Sequence, residues 1–131
     1  RFKQINDHCG HLIGDQVLRA IAEEVSNAAS PCDLPCRLGG DEFALLMQVT
    51  GLEELRARAT QIIGAVRTLR FPACGDEHLS VAGSVGGSLC AGGADWAVWY
   101  SDADCALYEA KGIGGDGYRV IEGAGASIAP A

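Results

Sequence analysis

Basic residues are scarce in this chain of 131 residues: 10 Lys and Arg stand against 17 Asp and Glu, a formal net charge of −7. A surface that gripped nucleic acid or an anionic membrane would need the opposite balance. A local phosphate site stays open, because a few cations and backbone N–H groups suffice for one. Long apolar runs are also missing. None approaches the roughly 20 residues that a membrane helix needs, and there is no secretory signal pattern. The six cysteines, Cys9, Cys32, Cys36, Cys74, Cys90 and Cys105, include no C-x-x-C pair, which argues against zinc and for reduced thiols in a cytoplasmic protein. His8 and His11 are spaced i, i+3, but no third ligand of that class is near, so surface or structural roles are expected. No internal repeat is visible. The first residue is Arg1 rather than Met, so the chain reads as a piece of something longer.

Hydrophobic residues make up 48% of the chain, enough for one folded domain with a single core. Phe2 and Ile5 mark a short helical turn, and residues 8–14, with two glycines, read as a loop. Val17, Leu18, Ile21, Val25 and Ala28 recur at helical spacing and predict a helix over residues 15–29, stopped by Pro31. Residues 34–38 and 43–47 read as strands around a Gly-Gly-Asp-Glu turn, the second an apolar run suited to a central strand. Leu52, Leu55, Ala59, Ile62, Val66 and Leu69 form the apolar stripe of a helix over residues 52–69. Residues 79–89 form a glycine-weakened strand. Asp95 caps a helix running to about residue 111, whose apolar face includes Trp96 and Trp99. Residues 118–121 form a last strand. The domain is expected over residues 1–122, with a disordered tail over 123–131. This order predicts an α+β fold, a sheet with helices packed on it.

The chemistry concentrates at residues 37–43, Arg-Leu-Gly-Gly-Asp-Glu-Phe. Glycines there let the backbone approach a ligand, because no Cβ intervenes. Two adjacent carboxylates follow. One can ligate Mg²⁺, which takes oxygen ligands and bridges to substrate phosphates. The other can orient or deprotonate a hydroxyl nucleophile. The plain alternative is a type I′ hairpin turn with solvated acids.

Residues 38–43 read LGGDEF, and this resembles the signature of the GGDEF family of diguanylate cyclases. Residues 2–11 are similar to its FKxIND-x-x-GH segment, residues 14–18 to its GDxxL, and residues 103–111 to its ADxALYxAK. Four blocks in order are far more specific than one. The resemblance implies a central, mainly antiparallel sheet of about five strands with flanking helices, like the palm of nucleotidyl cyclases and polymerases. It implies Asp41 as a ligand of Mg²⁺ (or Mn²⁺). It implies Glu42 as the group acting on the ribose 3′-hydroxyl that attacks the α-phosphate of a second GTP. Gly39 and Gly40 would lie against phosphates, Lys3 and Lys111 would neutralise them, and Asn6 and Asp15 would read guanine. A carboxylate suits guanine, whose N1–H and N2–H donors lie on one edge. The alternative for Asn6 and Asp15 is helix capping.

Three departures from the family pattern stand out. The family's second metal carboxylate falls upstream of Phe2, before this chain begins. The family follows its lysine with x-x-G-R-N, and Gly115 occupies the place of that arginine. Many members carry an inhibitory R-x-x-D before the hairpin. Residues 30–33 read Ser-Pro-Cys-Asp, with the aspartate and without the arginine. The resemblance therefore implies a domain that binds GTP and, as a homodimer, condenses two GTP into cyclic di-GMP, with this fragment alone nearly inactive. The alternative is a degenerate module holding GTP or cyclic di-GMP as a regulatory ligand. An upstream sensor domain is expected as partner; nucleic acid and membrane contacts are not.

Overall fold

The computed structural model describes residues 2–71, 81–90, 95–113 and 117–123. Its elements run α1 (Phe2–Cys9), α2 (His11–Ala28), β1 (Leu34–Gly39), β2 (Glu42–Leu46), α3 (Leu52–Arg67), β3 (Val85–Leu89), α4 (Trp96–Gly112) and β4 (Tyr118–Glu122). The expected order of elements and the α+β class both hold. Among the described residues the strands form two pairs, an antiparallel β1–β2 hairpin and a parallel β3–β4 pair. The chain divides into two compact units, one of residues 1–48 and 64–82, the other of residues 49–63 and 83–131.

The first unit is built on α1, α2 and the hairpin. Its core gathers Ile5, Ile13, Val17, Val66 and Val81, with Phe2, Cys9, Ile21 and Phe71 packed against it. The loop expected over residues 8–14 is absent. Gly10 alone, at φ 87°, separates the two helices, and α2 begins at His11. Gly14 is helical and buried. A Cβ there would run into the Asn6 side chain, within 2.9 Å of Cγ, so this glycine serves close packing rather than a turn. The hairpin pairs Leu34 with Leu46 through Arg37 with Phe43, then shifts register at a bulge so that Gly39 faces Glu42.

In the second unit, β3 and β4 lie beside α4. Val85 pairs with Tyr118 and Leu89 with Glu122. The strand expected over residues 79–89 is shorter, because residues 81–84 are not extended in a ladder; residues 79 and 80 lie outside the described residues. Asp95 caps α4 as expected, its side chain accepting from the Ala97 amide at 2.8 Å. The tryptophans depart from expectation. Trp96 is 54% exposed, while Trp99 is half-buried and donates its indole N–H to the Ser88 carbonyl at 2.8 Å. The two rings meet edge to face at 5.6 Å. The apolar stripe over-assigned Trp96, because periodicity gives a side chain's direction and not its depth.

α3 buries Leu55, Ala59, Ile63 and Val66, so Ile63 rather than Ile62 carries the stripe. The cysteines also need correction. Cys32, Cys36, Cys90 and Cys105 are free, but Cys9 is disulfide-bonded. Cysteine spacing does not reveal a pairing of this kind. Of the disordered tail expected over residues 123–131, Gly123 is buried and donates its amide to the Leu89 carbonyl at 2.8 Å, and residues 124–131 lie outside the described residues. No described helix is long and apolar enough to cross a membrane.

Candidate functional site

The hairpin tip is built by its glycines. Gly39 and Gly40 have φ values of 145° and 52°, a region that L side chains rarely enter. Among the described residues no non-glycine has positive φ, so Asp41 is ordinary backbone. Of the two loop residues Gly40 and Asp41, only the first is left-handed. The turn therefore departs from the type I′ alternative, which needs positive φ at both loop residues. A Cβ at Gly39 or Gly40 would meet nothing within 4 Å. The space beside this backbone is open, and steric crowding is not why these glycines are there.

Asp41 and Glu42 are both exposed. Neither carboxylate has a hydrogen bond or ion pair among the described residues. Some other acids of the chain are engaged. Asp33 accepts from the Ser30 amide at 2.8 Å and the Gln48 amide at 3.1 Å. Glu53 pairs with Arg56, and Glu109 with Arg119 at 3.0 Å. The hairpin thus presents two hard oxygen donors free for a cation. Among the described residues no cluster of three or more His, Cys, Asp or Glu side chains could hold a metal ion. Mg²⁺ does not require one, since it commonly binds through one or two carboxylates and completes its shell with waters and phosphates.

Asn6 and Asp15 are brought to one place by Gly14. Asn6 is half-buried in the middle of α1, its side chain against the α2 backbone at Gly14. Asp15 follows Gly14 on α2. Helix capping, the alternative for both, does not apply. The N-cap of α2 is Gly10, four residues before Gly14, and Asn6 is interior to α1. Asp15 is exposed and lines a cavity of about 240 Å³ with Leu18, Arg19 and Ala22 on the same face of α2, and with Arg37 and Phe43 from the hairpin. The lining thus joins apolar side chains, Leu18 and Phe43, to a carboxylate, Asp15. Lys3 is exposed at the start of α1 in this same unit. Lys111, exposed in the last turn of α4, belongs to the second unit.

No individual role in the site was expected of Arg37, Leu18, Arg19 or Phe43. Arg37 and Phe43 are directly paired across the hairpin, and the i, i+3, i+4, i+7 spacing of Asp15, Leu18, Arg19 and Ala22 was the available signal for one face.

Residues 1–116 match the family described as diguanylate cyclase, GGDEF domain. The response regulator PleD of Caulobacter vibrioides is 41% identical over 115 residues, 86% of this chain and 25% of that protein. The chain spans a quarter or less of the length of the curated relatives it matches. Its fold is similar to that of the diguanylate cyclase SiaD of Pseudomonas aeruginosa, solved with its activator SiaC. The TM-score is 0.80 at 37% identity, over 92% of this chain and 46% of that one. It is also similar to the GGDEF domain of DgcB from Caulobacter crescentus in complex with c-di-GMP, with a TM-score of 0.75 at 25% identity, over 92% and 71%.

Proposed function

Because the chain belongs to the GGDEF family of diguanylate cyclase domains, we propose that it binds Mg²⁺·GTP at the β1–β2 hairpin. We further propose that, paired with a second copy, it condenses two GTP into cyclic di-GMP. The observation that carries this reading is the pair of unpartnered, exposed carboxylates Asp41 and Glu42 on a glycine turn with open space beside it. Asp41 is the metal ligand and Glu42 acts on the attacking ribose 3′-hydroxyl. Each attack forms a P–O bond at an α-phosphate and releases pyrophosphate, so two attacks close the ring. Mg²⁺, or Mn²⁺ with the same ligands, supplies positive charge to the phosphates when bound. Gly39 and Gly40 give the phosphates close access, Lys3 adds a cation, and Asn6 and Asp15 select guanine. One GTP per domain requires a symmetric pair for turnover, in the cytoplasm where GTP is held and under the control of a further, sensing domain.

A second reading rests on Gly115, which replaces a phosphate-binding arginine of the family pattern. It makes the domain a module that holds GTP or cyclic di-GMP without turnover.

The first test is titration calorimetry with Mg²⁺·GTP. Asp41→Asn is expected to weaken binding by about tenfold or more, the scale of a lost charge-assisted contact. Unchanged affinity would remove Asp41 from the site. Product formation is then followed by chromatography, with any native residues that precede Arg1 included. Cyclic di-GMP that disappears in Glu42→Gln supports the cyclase. A folded, dimeric protein that binds GTP and yields no product supports the regulatory module.

A further inference from the structure

Arg37 is the cation nearest in sequence to the hairpin acids, yet it pairs with neither. Its Nε and Nη2 both donate to the carbonyl of Gly40, at 3.1 and 2.7 Å. We propose that Arg37 is a positioning residue that locks the Gly40–Asp41 peptide and thereby holds Asp41 and Glu42 in place for the metal-bound nucleotide. The proposal rests on the reading of the hairpin as the Mg²⁺·GTP site, and deepens it.

The argument starts from the freedom of the loop. Two adjacent glycines at positive φ are joined to a register shift between Arg37 and Gly39. Glycine has more backbone conformations to lose than any other residue, and the bulge interrupts the ladder that would restrain it. Nothing packs against the glycines from outside, since both Cβ positions face open space. The tip therefore needs a restraint from within the hairpin. A carbonyl held by two N–H groups of one rigid guanidinium cannot rotate, and the peptide bond is planar. Fixing the oxygen of Gly40 therefore fixes the amide of Asp41 on the opposite side of the same plane, and with it the start of β2 at Glu42. The choice of acceptor matters as much as the restraint. By engaging a neutral carbonyl, the guanidinium leaves both carboxylates without a competing ion pair. Arg37 also lines the cavity beside Asp15, so one side chain touches both the base cavity and the metal-binding turn.

The test uses the whole 131-residue chain with Arg37→Ala and Arg37→Lys. Lysine keeps the charge and stem but lacks the fork, so both variants should behave alike. Hydrogen–deuterium exchange without nucleotide is expected to accelerate about tenfold at the tip amides, with the α1 and α2 amides unchanged, as for a local opening. Calorimetric affinity for Mg²⁺·GTP is expected to fall about tenfold, and the loss should not add to that of Asp41→Asn, because both act through one carboxylate. Binding of GTP in EDTA should be unaltered. Unchanged exchange at the tip would overturn the proposal. So would equal weakening with and without Mg²⁺, which would make Arg37 a direct nucleotide contact. Should the unaltered chain bind no Mg²⁺·GTP, the functional reading fails, and the exchange measurement still decides the role of Arg37.

Discussion

A Cβ added to Gly39 or Gly40 in the hairpin would meet nothing within 4 Å, whereas one added to Gly86 in β3 would press into the α4 backbone, 2.5 Å from the Ala103 oxygen and the Leu107 Cα. The neighbouring Gly87 is almost as confined, with Val120 Cγ1 at 2.9 Å. The same dipeptide thus serves opposite ends. In β3 the missing side chains let a helix settle directly on a strand, and the gain is packing. In the hairpin they release the backbone into left-handed conformations and keep its surroundings empty. Packing does not call for those glycines; the positive φ of the turn does.

The largest expected effect belongs to the closed pair. Gly86→Ala has no flexible neighbour to displace, only helix backbone, and should cost about 3 kcal/mol of folding stability in urea denaturation. A loss under 1 kcal/mol would show that α4 can lift from β3. Gly14→Ala lies between the two classes, because its obstacle is the movable side chain of Asn6. Its cost should appear chiefly in recognition, as an about tenfold lower preference for GTP over ATP in competition binding. Intact discrimination would remove Asn6 from base reading. Gly40→Ala, at φ 52° with free space around it, meets only backbone strain and should cost about 1 kcal/mol. A cost as large as that of Gly86→Ala would mean that the turn is packed after all.

The smallest effect is expected at Asp33. Its carboxylate already accepts from the amides of Ser30 and Gln48, so it serves the turn before the hairpin rather than an inhibitory nucleotide. Asp33→Asn should leave cyclic di-GMP affinity within about 0.5 kcal/mol of the parent. Asp15→Ala should weaken it, in competition with GTP. Tight binding that ignores Asp15 and is lost on Asp33→Asn would show an inhibitory site working without its arginine.

Much of this was legible in the sequence, and the failures share a cause. Helical spacing located α2, α3 and α4, and LGGDEF located the hairpin, because periodicity and turn chemistry are local. Residues 8–14 were misread as a loop because Gly14 carries a local helix penalty. Its reason, the side chain of Asn6, comes from another helix. Trp96 was misread because a stripe gives direction and not depth. The restraint by Arg37 was invisible because a hairpin's register shift, which lets residue 37 reach residue 40, is a property of the folded ladder. Asp15 was legible as chemistry, yet the cavity around it needed β1 and β2 to exist.

The division into two units has an optical consequence. Every tryptophan and tyrosine of the chain, Trp96, Trp99, Tyr100, Tyr108 and Tyr118, falls in the unit of α4, and every phenylalanine, Phe2, Phe43 and Phe71, in the unit of the hairpin. Intrinsic emission excited near 295 nm therefore originates in the unit of α4 alone, and the phenylalanines of the other unit contribute nothing to it.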